Sequence, residues 1–122
     1  MIPPIARRSL LATLAAAAVL PAPAARAHHG WSGYVAERLA ILKGPIRAVR
    51  FQNPHCEIDL AADGTVWRIT LAPPFRMNAR GVPDGTLQAG QELEIQGYVN
   101  RSDRTEIRAE RIVLAGRAVE MR

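Results

Sequence analysis

Cys56-Glu57-Ile58-Asp59-Leu60-Ala61, Ala62-Asp63-Gly64-Thr65, and Val66-Trp67-Arg68-Ile69-Thr70-Leu71 form the stretch on which the fold turns. Asp-Gly between two runs of alternating polarity is a strong short-range hairpin signal, because both turn positions need positive φ. A two-residue turn also dictates which residues oppose each other, and here the numbers of paired positions must sum to 127. Leu60 then meets Trp67, Ile58 meets Ile69 and Cys56 meets Leu71 on one face. On the other, Asp59 meets Arg68 and Glu57 meets Thr70. Apolar falls on apolar and acid on base, which is the pairing that stabilises a sheet.

Working outward, Leu42 to Phe51 reads as a preceding strand. The slip in its apolar positions between Ile46 and Val49 implies a β-bulge, and Asn53-Pro54 ends it. After the hairpin, Pro73-Pro74 leading into Phe75 to Arg80, with Gly81 just beyond, predicts a short helix. Gln91 to Asn100 alternates Leu93, Ile95, Gly97 and Val99 against Glu92, Glu94, Gln96 and Tyr98, the period of a half-buried strand. Ile107 to Leu114 is the last strand, where a second bulge is expected. The order is three strands, one short helix and two strands, which is that of a five-stranded OB-fold barrel. The fold class is mainly β, and closure removes the edges that make an open five-stranded sheet prone to aggregate.

The chain has 122 residues, enough for one compact domain once a leader is subtracted. Met1 to Ala27 has the parts of a secretory signal: Arg7 and Arg8, the apolar run Leu10 to Leu20, and Ala25-Arg26-Ala27 as a small-x-small cleavage site before His28. The run stops at Pro21 and Pro23, short of the ~20 residues that span a bilayer, so no transmembrane segment is expected in the mature chain. Export to the periplasm by the general secretory route fits, and Arg7-Arg8-Ser9-Leu10-Leu11 also resembles a twin-arginine signal. Residues 1–27 are thus read as signal peptide, 28–40 as an N-terminal arm, 41–118 as the barrel and 119–122 as a tail. The whole chain carries +5, but three arginines fall in the leader, leaving thirteen basic against eleven acidic residues beyond it. A net of +2, spread along the chain, opposes nucleic acid as a partner. Cys56 is the single cysteine, so no disulfide framework holds the fold.

Six stretches stand out together: Ala27-His28-His29-Gly30-Trp31, Leu42-Lys43-Gly44, Phe51-Gln52-Asn53-Pro54-His55, Arg80-Gly81, Leu87-Gln88-Ala89-Gly90-Gln91-Glu92-Leu93, and Arg108-Ala109 through Leu114. Through them the mature chain resembles domain-of-unknown-function family 6152, a group of small exported bacterial proteins. The resemblance implies a periplasmic OB-type domain and brings no activity with it. Cys56 stands where members of the family more often have an apolar residue.

Cleavage before His28 would place an α-amine beside an imidazole, a chelate suited to copper or another imidazole-binding divalent metal, with His29 and His55 as further nitrogens. In that reading Glu57 accepts the other imidazole proton of His55. The bland reading gives His28 and His29 no role and uses His55 to satisfy backbone groups at the strand start. Trp31 and Tyr34, with Asn53, are candidates to hold a ligand, or the two aromatics cover the open end of the barrel. Cys56 reads as a small buried hydrophobe. No nucleophile elbow, isolated acid pair or HExxH spacing is present, so no enzyme is expected. Two functions remain: an exported metal-binding domain, or a metal-free domain that binds an envelope protein or small ligand on a face near Arg47, Arg68, Glu94 and Tyr98.

Overall fold

The computed structural model describes residues 31–122. The expected signal peptide, with His28 and His29, lies outside them. Six strands and one helix follow in order: β1 Ala40–Arg50, β2 Glu57–Ala62, β3 Thr65–Thr70, α1 Pro74–Ala79, β4 Glu92–Val99, β5 Glu106–Leu114 and β6 Arg117–Glu120. The sheet runs β3-β2-β1-β4-β5-β6, and β3 also pairs with β5, closing the first five strands into a barrel.

The hairpin has the register that the sum rule requires, from Glu57 opposite Thr70 to Ala61 opposite Val66. Its turn residues, Asp63 (φ 51°) and Gly64 (φ 73°), both take the left-handed conformation that a tight two-residue connection needs. β1 serves two partners. Ala40 to Pro45 pair with β4, Ile46 to Arg50 pair with β2, and Arg47 is the extra residue where the register shifts. This is the bulge expected between Ile46 and Val49. The second bulge also falls in the last long strand: Gln96 pairs with Arg111 and Gly97 with Ala109, so Glu110 is unmatched.

The interior is filled by the alternating apolar positions, among them Ile46, Ile58, Leu60, Ile69, Leu93, Ile95, Ile107 and Ile112, all at 1% exposure or less. Cys56 is buried with them, and its burial raises the thiol pKa. α1 adds Met77. Trp67 is only half-buried at the margin of this core, its Nε1 donating to the Ala62 carbonyl at 3.2 Å.

The structure departs from the sequence expectation at the C-terminus. The sequence pattern gives no strand beyond Leu114 and leaves residues 119–122 as a tail. Instead Ala115 (φ 49°) and Gly116 (φ 78°) make a tight turn into β6, and Val119 and Met121 are buried. The reason lies in β5. One of its edges is paired along most of its length to β4, while the other meets β3 only from Glu106 to Arg108. β6 completes that second edge from Arg111 to Leu114. The outer edge of β6 is covered in turn, because Arg80 donates to the carbonyls of Glu120 and Arg122, and Arg76 to that of Met121.

Candidate functional site

The parallel β3–β5 pairing that closes the barrel sets Arg68 against Glu106, Ile69 against Ile107 and Thr70 against Arg108. Ile69 and Ile107 face the core, so by alternation Thr70, Glu106 and Arg108 lie on the outer side of this seam. On the far side of β5, Tyr98 is paired with Arg108 and joins the same face.

The N-terminal arm crosses this face. It is held at the end of β4 by the Val35 amide on the Val99 carbonyl, the Arg101 amide on the Gly33 carbonyl, and a Tyr34–Asn100 bridge. Beneath it Glu106, 2% exposed, receives the Tyr34 hydroxyl at 2.5 Å and the Thr70 hydroxyl at 2.7 Å on Oε1. Its Oε2 is buried with no hydrogen-bond partner among the described residues. Burial, and then the bond to Glu106, push the Tyr34 pKa up to about 12, which keeps its hydroxyl a proton donor.

Trp31 lies above. The guanidinium carbons of Arg108 and Arg122 stand 4.6 and 4.3 Å from its ring, within cation–π range, and Tyr98 meets it edge-on with centroids 6.1 Å apart. The N-terminal arm and the C-terminal segment thus meet on the seam: Trp31 from the one, and Arg122 from the other, which Arg76 and Arg80 hold in place. Trp31 and Tyr34 therefore cover the outer seam rather than the open end of the barrel.

His55 is brought to the same neighbourhood by the turn before β2. Its Nε2 lies 3.1 Å from an Arg108 nitrogen. Arginine has only protons to give, so the imidazole is neutral there and accepts on Nε2. Burial and then the Arg108 charge lower the His55 pKa, in keeping with that arrangement. The expected acceptor for His55, Glu57, is engaged elsewhere: Arg50 binds Glu57 through Nε at 3.1 Å and Asp59 through both terminal nitrogens at 2.7 and 3.1 Å. This also corrects the expected cross-strand charge pair. Asp59 stands opposite Arg68 in register, but its ion pair is with Arg50 on β1, and Arg68 turns to Asp103 at 3.3 Å. A bidentate fork wins over a single opposed contact.

Asn53 precedes a cis peptide bond to Pro54 and lies exposed in the loop between β1 and β2. Among the described residues no three His, Cys, Asp or Glu side chains gather into a set that could hold a metal. The four residues named for a binding face are not brought together. Arg47 borders a depression with the β2–β3 turn, Glu94 one with Lys43 and Leu114, and Tyr98 one with Leu39 and Glu110. Arg68 belongs to none of the three. The sequence reading also missed Glu106 and Thr70. Their signal was present only as two polar residues on strands whose pairing is parallel and distant, which no local pattern reports.

A family model described as a family of unknown function, DUF6152, matches residues 15–108. No curated protein matches the chain.

Proposed function

The chain belongs to the DUF6152 family, whose function is not established, and we propose that it is an exported, metal-independent binding domain of the cell envelope that captures its ligand on the outside of the barrel. One observation carries the choice over a copper-like site built on His28, His29 and His55. His55 Nε2 is occupied by Arg108, whose guanidinium would face any cation approaching that nitrogen. A metal there must displace a charge-assisted bond and tolerate a neighbouring positive charge.

The packed interior supports the same reading. Core positions of β1 to β5 are closed by branched aliphatic side chains, so a ligand has to be taken at the surface or between the barrel and its arm. A catalytic role is not part of the proposal. On the seam the arrangement makes Tyr34 a poor acid, and it leaves His55 with its Nε2 lone pair engaged.

The test is a Cu(II) titration by calorimetry on protein exported with its own leader. It is run beside His55→Ala and beside a chain with one residue inserted before His28, which blocks an α-amine chelate. Weak binding, equal in all three, is the expected result. Tight one-to-one uptake that either variant abolishes would overturn metal independence and restore the histidine site.

A further inference from the structure

The exposed apolar residues of this molecule are not evenly scattered. Leu39 is 45% exposed and Ile41 62% exposed, and they lie two positions apart on the same outward side at the start of β1. Together with Val35 from the arm and Val99 from β4 they line a groove of about 370 Å³. That is within the range of small-ligand pockets, roughly 300–1,000 Å³. The other large exposed apolar side chains among the described residues, Val66 and Phe75, do not line it. Two arginines, Arg38 and Arg104, border the groove, both exposed. Neither has an ion pair or hydrogen bond among the described residues.

This combination is specific. Bare aliphatic surface beside guanidiniums unpaired among the described residues complements a molecule that is apolar along its length and anionic at its end. Arginine suits a carboxylate, because its planar fork can meet both oxygens at once. A cationic amphiphile would be repelled at the same rim, and a purely polar anion would leave the groove unfilled. The acids next to the rim arginines in sequence are directed to other partners, Glu37 to Arg101 at 3.6 Å and Asp103 to Arg68 at 3.3 Å.

We infer that the groove between the arm and the start of β1 binds a single-chain anionic amphiphile, its aliphatic tail on Val35, Leu39, Ile41 and Val99 and its carboxylate between Arg38 and Arg104. The assignment rests on the reading of the domain as a surface binder and names the ligand class for it. It is independent of the histidines: copper uptake in the preceding titration would overturn metal independence without touching the groove, and failure here would leave that titration's outcome unchanged.

The experiment is calorimetric titration of the exported chain with dodecanoate below its micelle concentration. Dodecyltrimethylammonium supplies the same tail with the opposite charge, and acetate supplies the head alone. Saturable one-to-one binding of dodecanoate is expected, with both comparison ligands weaker by about tenfold or more. The double variant Arg38→Ala/Arg104→Ala and, separately, Ile41→Glu should each weaken dodecanoate by a similar factor. Arg47→Ala, which lies at a different depression, should not. All four positions are exposed, and circular dichroism checks that each variant keeps the barrel. Equal binding of the cationic amphiphile, or dodecanoate binding that survives both groove variants, would overturn the proposal. So would capture of an acidic leucine-rich peptide, or of anionic vesicles, by a chain that leaves monomeric dodecanoate unbound.

Discussion

The β2–β3 hairpin and the β3–β5 seam share a strand, yet they are held together in opposite ways. In the hairpin every cross-strand pair is close in sequence, and its two acids, Glu57 and Asp59, are held near the surface by the fork of Arg50 from β1. In the seam, Thr70 reaches Glu106 across 36 positions and Tyr34 reaches it across 72. There the polar contact is buried, with one carboxylate oxygen accepting hydrogen bonds from both hydroxyls and the other left without a hydrogen-bond partner among the described residues. A mismatched charge in the hairpin can turn to water, whereas a mismatched group in the seam has nowhere to go. The hairpin therefore tolerates a rearranged pair, and the seam depends on several distant groups being present at once.

The largest effect tests the close approach that both regions require. A Cβ at Gly44 would stand 1.8 Å from the Ala61 carbonyl oxygen, and one at Gly97 would stand 2.2 Å from that of Arg108. Neither contact can be relieved by rotating a side chain, because the neighbour is backbone in an adjacent strand. Gly44→Ala and Gly97→Ala should each lose about 3 kcal/mol or more in urea unfolding. A loss under ~1 kcal/mol at either would mean that the strands part more easily than a closed barrel allows.

Next comes the seam acid. Glu106→Ala strands the hydroxyls of Tyr34 and Thr70, and about 2–3 kcal/mol of stability should go with it. Glu106→Gln, which keeps an acceptor and removes the charge from the unpartnered oxygen, should cost clearly less. If the two variants were equally damaging, the charge rather than the bonding would hold the seam.

Arg50→Ala sharpens the hairpin side of the comparison, with an expected loss of about 1 kcal/mol near neutral pH. The Arg50 hydrogen bond holds the Asp59 pKa below its ordinary 3.8. A depressed carboxylate stabilises the fold above its unfolded value and ceases to do so as pH falls through the folded one. The gap between wild type and Arg50→Ala should therefore narrow below about pH 3.8 in acid unfolding.

The smallest effects are spectroscopic. With its pKa raised from 10.0 to about 12, Tyr34 should ionise late in an ultraviolet pH titration, and Tyr34→Phe should remove that step. A raised group contributes fully below its unfolded pKa and stops contributing as pH climbs through the folded one. The stability difference between wild type and Tyr34→Phe should accordingly change between about pH 10 and 12. Arg108→Gln should raise the His55 pKa followed by NMR, since the Arg108 charge is one of the two leading causes of its depression. An unmoved His55 would separate it from the seam.

Much of this was legible in the chain before folding. Alternation from Leu93 to Val99, the slip between Ile46 and Val49, and proline before and glycine after a short helix each report a local backbone demand. The structure meets each of them within two residues. Asp63-Gly64 went further, because a two-residue turn transmits register to every pair beyond it. The second turn, Ala115-Gly116, escaped notice: alanine at φ 49° gives no compositional signal, and β6 went unseen with it. The site was less legible than the fold. Trp31 and Tyr34 stood out as aromatics in an arm, but their residue types could not say which surface they cover. Local spacing points His55 toward Glu57, its neighbour along the strand, while the structure gives it Arg108 from 53 positions away.

By itself the sequence determined β1 to β5 and α1, their order, the hairpin register and the bulge in β1, because each depends on periodicity or turn chemistry within about ten residues. Only the tertiary structure decided that β3 and β6 share one edge of β5, that Arg50 rather than Arg68 takes Asp59, and that the arm and the C-terminal segment meet over Glu106. Those contacts join residues whose separation along the chain carries no pattern. They form because closing a five-stranded ring leaves particular backbone edges and one buried carboxylate in need of partners, and the nearest groups in space supply them.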